Sequence, residues 1–260
     1  MYNKFNLCKQ SFLWLTAIAL LFCMSMYISE SDSIAVGNYT NSRRLPIYCV
    51  DTDEKIVALS FDAAWGNEDT QTILDILKKE KVKVTFFMTG GWVESYPDDV
   101  KAIAKAGHDL GNHSENHKHM TELSDEQCKE EIMKVHNKVK ELTGKNMILF
   151  RPPYGDYDNK VIDVAREIGY YPIQWDVDSL DWKDYGVDSI INTVVNNSHL
   201  GNGSIILCHN GAKYTAQALP KVISGLKQKG YKIVPISRII YKNTYNINPE
   251  GRQLRPKATS

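Results

Sequence analysis

Five short stretches hold most of the side chains able to do chemistry. LSFDAAWG (59–66) ends an apolar run in one carboxylate, Asp62, followed by two alanines, Trp65 and Gly66. HSENH (113–117) sets two histidines at i and i+4, which share a face if the segment is helical, and imidazole is a good ligand for zinc and similar divalent ions. Four of the seven histidines, His108, His113, His117 and His119, fall within twelve residues, which favours metal binding over scattered surface histidines. His108 and His119 are read as supporting residues, and His136 and His199 as surface ones. RPPYG (151–155) puts Arg151 before two prolines that stiffen a turn, and its guanidinium suits a carboxylate partner. DVDSLDW (176–182) packs Asp176, Asp178, Asp181 and Trp182 together, so a carboxylate pair of glycosidase type is one reading and a polar loop another. ILCHN (206–210) ends a strand-like run in His209, a possible general acid or base or a structural histidine.

Elements with a regular rhythm must position these groups. Strand-like runs at 55–61, 82–88, 108–112, 146–151, 171–177, 204–209 and 231–236 alternate with helix-like runs at 69–80, 97–106, 124–143, 159–168, 187–196 and 215–229. The long run 124–143 has a serine cap, an acidic first turn and a closing Gly144. Seven strand signals separated by helices predict a mostly parallel α/β fold. With no glycine-rich phosphate loop after the first strand, the expectation is a distorted (β/α) barrel of about seven strands in a single domain. Barrel chemistry gathers where strands end, and Asp62, His113, His117, Arg151, Asp178, Asp181 and His209 all fall at or just after such ends.

The 260 residues carry 31 basic and 31 acidic side chains, so charge offers no reason to expect a nucleic-acid partner. Lys4 and Lys9 precede an apolar run at 12–28, and Ser33-Ile34-Ala35 has small residues at signal-peptidase spacing. Residues 1–35 are read as a signal peptide or a membrane anchor, which places the rest outside the cytoplasm, secreted or tethered. Residues 36–53 read as a linker or lead-in, 54–242 as the domain, and 243–260 as a polar tail. Cys49, Cys128 and Cys208 form no CxxC pair, so neither a disulfide framework nor a thiolate metal site is suggested. The sequons at Asn38, Asn112, Asn196 and Asn202 carry little weight; a glycan on Asn112 would block the histidine cluster.

Taken in order over about 190 residues, SFD, HSENH, RPPYG, DSLDW and LCH resemble the five motifs of the polysaccharide deacetylases, the NodB-homology group or carbohydrate esterase family 4. The pattern is most similar to the sporulation-type and cell-wall deacetylases of spore-forming bacteria. The resemblance implies a metal-dependent hydrolase, with zinc, cobalt or another divalent ion, removing N-acetyl groups from peptidoglycan or another N-acetylated glycan. A monomer is expected, touching the membrane only through an uncleaved N-terminal segment. It implies Asp62 as catalytic base, His113 and His117 as metal ligands, and Arg151 as the group orienting the base. The backbone N–H of Tyr154 would serve the oxyanion, Asp181 would tune the acid His209, and Trp182 and Leu207 would line the acetyl pocket.

One position departs from the family. Most members read FDD at the first motif, and the second aspartate completes an Asp-His-His metal site; here it is Ala63. Metal affinity is therefore expected to be lower, with Glu68 and Asp69 nominated as replacements by proximity alone. Three rivals stay open: an inert relative that binds glycan, an O-acetyl polysaccharide esterase, and a glycosidase using the 176–181 carboxylates, which would leave the histidine pair unexplained.

Overall fold

The structure, a computed structural model, describes residues 43–255. The signal peptide or anchor expected at 1–35, the start of the lead-in and the last five residues lie outside the described residues. In chain order the elements are β1 (Cys49–Val50), β2 (Ile56–Ala63), α1 (Thr70–Glu80), β3 (Thr85–Met88), α2 (Gly90–Ser95), α3 (Pro97–Lys105), β4 (Asp109–Asn112), α4 (Asp125–Thr143), β5 (Leu149–Phe150) and α5 (Asn159–Glu167). There follow β6 (Tyr171–Pro172), β7 (Val177–Asp178), α6 (Val187–Val195), β8 (Ile205–His209), α7 (Thr215–Gln228), β9 (Lys232–Val234), α8 (Ile236–Ile239), β10 (Asn246–Ile247) and β11 (Arg252–Leu254).

The main sheet runs β6-β5-β4-β3-β2-β8-β7, every pairing parallel, with β9 pairing the first residues of β2. This is the expected distorted β/α barrel, a curled parallel half-barrel wrapped by helices. β2 is its central strand, and its alternation sorts the two faces. Val57, Leu59, Phe61 and Ala63 join the apolar layer that includes Ile73 and Leu77 of α1 and Ile223 and Leu226 of α7. Ala58 belongs instead to a second cluster with Phe87, Ile173 and Ile205. Ser60 and Asp62, buried on that same alternate face, are free to meet polar partners inside the curl.

Local sequence explains the longest helix. Ser124 and Gln127 cap each other at the start of α4, each side chain taking the other's backbone N–H, and Gly144 ends it at φ 70. Inside the sheet, Gly111 has a different reason. A Cβ there would lie 2.4 Å from the Phe87 ring, so the glycine lets β4 close on β3.

Three expectations are corrected. The run 171–177 is two short strands, β6 and β7, at opposite edges of the sheet, because the chain between them crosses the barrel's open seam. The end of 231–236 is not strand but the start of α8 after Pro235. Parts of the lead-in and tail are strands as well: β1 pairs parallel with β11, and β11 antiparallel with β10. Gln253 is fully buried there, accepting from Tyr241 N–H and donating to its carbonyl, both at 2.8 Å.

Candidate active site

Parallel register delivers the site residues to one level. Asp62 lies opposite His209 of β8, and Ala63, Met88, Asn112 and Phe150 share the next row across β2, β3, β4 and β5. His113 and Arg151 are each one residue beyond that row. Asp62 stands at the end of β2 as expected, one residue before its last, the strand running on to Ala63 rather than stopping at 61.

Arg151 is fully buried. Its Nη1 donates to Asp62 Oδ1 at 2.6 Å, and its Nη2 to Ser60 Oγ at 2.9 Å and the Gln174 carbonyl at 3.3 Å. The guanidinium carbon sits 4.1 Å from the Phe87 ring centre, a cation on an aromatic face. Burial pushes the Asp62 pKa up, but the charges of Arg151, His113 and His209 and the Arg151 hydrogen bond outweigh it, leaving the carboxyl below its ordinary value.

The segment HSENH is a loop after β4, not a helix, so the shared helical face expected for its histidines is corrected. Ser114 (φ 65) and His117 (φ 52) take left-handed backbone, and the His117 N–H donates to Ser114 Oγ at 3.1 Å. The loop turns back and sets the two Nε2 atoms 3.2 Å apart. His113 Nδ1 is 2.7 Å from the Arg151 carbonyl, an acceptor only, so Nδ1 carries the proton and Nε2 is bare. That Nε2 also lies 3.5 Å from Asp62 Oδ2. Burial lowers the pKa of both rings, that of His117 to about 4 with His113 adding to the shift, which keeps both neutral.

A divalent ion fits this pair. Two nitrogens at ~2.0–2.1 Å from a tetrahedral ion stand about 3.4 Å apart, close to the spacing observed. A third protein ligand is another matter. Ala63 is fully buried, its carbonyl taking the Thr89 N–H at 3.1 Å. Asp69 accepts the Gly211 N–H at 2.9 Å and the Glu68 carboxylate lies over Gly66, so neither joins the histidines. Among the described residues no three His, Cys, Asp or Glu side chains group around one ion position.

Asp181 and His209 form a second unit. His209 Nδ1 is 2.7 Å from Asp181 Oδ1, while Asp181 Oδ2 accepts the His209 N–H at 2.7 Å and the Thr215 hydroxyl at 2.6 Å. Burial disfavours the charged imidazole, but the hydrogen bond and charge of Asp181 prevail, and the His209 pKa is raised. The other carboxylates of 176–181 hold turns. Asp176 accepts from the Ser204 hydroxyl and Ile205 N–H, burial raising its pKa to about 6, and Asp178 accepts the Leu180 N–H. That removes the glycosidase pair.

Tyr154 sits at φ 60 in the turn after Arg151, its exposed ring 4.5 Å from His117 and stacked 4.3 Å from His119. Trp182 is exposed beside Asp181, and Leu207 is buried in β8 two residues before His209. His108 is structural, its Nδ1 taking the Val84 N–H at 3.2 Å. His136 is half-buried against the Tyr170 hydroxyl rather than a plain surface residue. Ser60, Gln174 and Thr215, which hold Arg151 and Asp181, went unnoticed in the sequence. Only Ser60, polar in an apolar run, left a signal. The sequence gives Trp65 no role, yet its ring centre lies 5.6 Å from His209 and 6.2 Å from His117.

Residues 50–173 match the family model described as polysaccharide deacetylase. A peptidoglycan-N-acetylglucosamine deacetylase of Bacillus cereus is 38% identical over 200 residues, covering 75% of this chain and 92% of the relative. The chain belongs to the polysaccharide deacetylases, carbohydrate esterase family 4. A second family relative, the peptidoglycan-N-acetylmuramic acid deacetylase PdaA of Bacillus subtilis, is 33% identical, with 75% of each chain covered. Among solved structures, a wild-type carbohydrate esterase family 4 pseudoenzyme from Bacillus anthracis superposes with a TM-score of 0.72 at 32% identity, over 81% of this chain and 73% of that one. A mutant of that pseudoenzyme, described as having restored enzymatic activity, matches at the same TM-score of 0.72 with 35% identity, covering 76% of this chain and 71% of the other.

Proposed function

We propose that this deacetylase-family chain hydrolyses N-acetyl groups of peptidoglycan outside the cytoplasm, using a divalent ion held by His113 and His117. One observation carries the reading. A buried, anionic carboxylate and a histidine with raised pKa face the same pair of neutral imidazoles, the base and acid that amide hydrolysis requires. The bound ion would supply a positive charge for the amide carbonyl and a lowered pKa for water.

The chain's own groups divide the remaining work. Asp62 accepts the proton of the attacking water through Oδ2, since Oδ1 is engaged by Arg151. Arg151, fixed by Ser60 and Gln174, keeps that carboxylate aimed and ionised. The Tyr154 N–H donates to the developing oxyanion. His209, protonated on Nε2 because Nδ1–H faces Asp181, delivers its proton to the departing nitrogen. Trp182 and Leu207 enclose the acetyl methyl.

A second reading has a specific observation behind it: Ala63 leaves the protein two metal ligands, and a structural relative is a pseudoenzyme. In that case the chain binds glycan without turnover. Acetate release from peptidoglycan and from N-acetylglucosamine oligomers, with zinc, with cobalt and with EDTA, tests the proposal. We expect release that EDTA abolishes and that His113→Ala and Asp62→Asn each lower at least about a hundredfold, the scale of general-base loss. No release from any of these by folded, metal-supplied protein that still retains glycan would establish the binding reading instead.

A further inference from the structure

Trp65 has a position that neither the metal pair nor the acid–base groups account for. It is one of four exposed large hydrophobic side chains among the described residues, with Tyr154, Trp182 and Tyr185. All four follow strand ends of one rim: Trp65 after β2, Tyr154 after β5, and Trp182 and Tyr185 after β7. Aromatic surface that could have been buried is exposed there, around the polar cluster, which is how an apolar ligand face is usually met.

The turn that carries Trp65 is held rigidly. The Gly66 carbonyl accepts Trp92 Nε1–H at 3.0 Å and Asn210 Nδ2–H at 3.1 Å, so the next residue is gripped from two sides. Trp92 is itself buried, and Asn210 is buried and also receives the Thr70 hydroxyl at 3.0 Å. The Asn210 N–H donates to the Asp62 carbonyl at 2.9 Å, which ties this turn to the strand bearing the base. An exposed indole on a clamped turn loses little freedom when a ligand covers it.

Its rings of contact define what would cover it. The planes of Trp65 and His117 meet at 58°, and those of Trp65 and His209 at 51°, so neither imidazole is stacked on the indole face. The indole lies beside both His117 of the metal pair and His209 of the acid pair, at 6.2 and 5.6 Å between ring centres. A sugar carrying the acetamide that reaches both must pass its ring beside Trp65. Pyranose rings present axial C–H bonds on one face, which match the negative face of an indole.

We propose that Trp65 is the platform on which the acetylated sugar ring stacks, and that it determines affinity for the glycan rather than the chemical step. The sugar's identity rests on the deacetylase reading; the platform does not. The test uses the full-length chain in non-ionic detergent, stripped of metal so that nothing turns over, titrated with the tetramer of N-acetylglucosamine in an isothermal titration calorimeter, a readout that does not depend on the indole being replaced. Wild type should show a saturable heat of binding. Trp65→Leu, which keeps apolar bulk but removes the aromatic face, should raise Kd about tenfold, and Trp65→Phe less than about threefold, the scale of one stacked ring. With zinc supplied, KM for acetate release should rise in Trp65→Leu while kcat falls by a smaller factor, a split that a misfolded variant would not give.

A Kd for Trp65→Leu less than about fivefold above wild type overturns the platform, as does no tetramer binding by wild type. The two readings fail separately. Trp65-dependent binding without acetate release from any substrate keeps the platform and removes the reaction. Acetate release with equal KM in wild type and Trp65→Leu keeps the reaction and removes the platform.

Discussion

Asp181 decides the charge of His209. Burial alone would lower the imidazole pKa, and the two-oxygen grip of Asp181 on the ring N–H and the backbone N–H reverses the sign. In Asp181→Asn that support is lost while burial remains, so the His209 pKa falls. The basic limb of the kcat/KM profile, where the acid loses its proton, is then expected to move to lower pH. The acid limb, set by groups whose pKa values are lowered, should stay put. A second residue-scale expectation concerns Ala63, which is fully buried beside the site. Ala63→Asp places a carboxylate in a dry position, which costs about 1–3 kcal/mol without a partner. We expect its metal-free melting temperature to fall by about 2–12 °C, at ~2–4 °C per kcal/mol for this size. Zinc should restore it and raise it further than in wild type, with zinc Kd at least about tenfold tighter, measured by competition with a chelating dye. Equal zinc stabilisation of the two proteins would show that position 63 does not reach the ion.

Among the elements, β3 and β4 support the site from below. Gly111 admits the Phe87 ring, and the Arg151 guanidinium lies on that ring. Gly111→Ala would push Phe87 up toward Arg151. Overpacking of this kind costs about 1–3 kcal/mol, read as a lowered urea midpoint. Activity should fall further than stability does, because Arg151 aims Asp62. A Gly111→Ala protein with wild-type kcat would show that the stack is incidental. The loop 113–117 makes the complementary point. Its sequence matched a ligand spacing on a helix, and the spacing survived while the helix did not. Left-handed Ser114 and His117 bring the nitrogens together by a different route.

For the molecule as a whole, the two ends of the described chain meet. β1 lies beside β11, while Ile47 bridges Ile173 and Cys49 bridges Ser204, so the lead-in crosses the seam between the sheet's edges. Gln253 locks this closure by satisfying both backbone groups of Tyr241. Gln253→Ala leaves that N–H and C=O without their side-chain partners, a cost of about 2–6 kcal/mol taken as two unsatisfied groups at about 1–3 kcal/mol each. Differential scanning calorimetry should then show a melting temperature lower by about 4–24 °C, at ~2–4 °C per kcal/mol. An unchanged midpoint would mean that the terminal sheet is not coupled to the barrel.

Much of this protein was determined by local rules that need no tertiary information. Helical periodicity with caps placed α1, α3, α4, α5, α6 and α7 within a residue or two of where they stand, and apolar runs placed β2 and β8. The order of strands and helices implied a parallel barrel, and a barrel brings residues at strand ends to one rim, which is why Asp62, His113, Arg151, Asp181 and His209 were legible. Tertiary structure alone decided the rest. Two-residue strands such as β6, β7, β1 and β10 carry no periodicity, and only their partners make them strands. Ser60, Gln174, Thr215 and Trp92 act on groups distant in sequence, through hydrogen bonds that no spacing encodes. Trp65 reads as an ordinary aromatic in the sequence, and only the fold sets it beside both His117 and His209. Chain-local chemistry chose the residues; three-dimensional closure chose their partners.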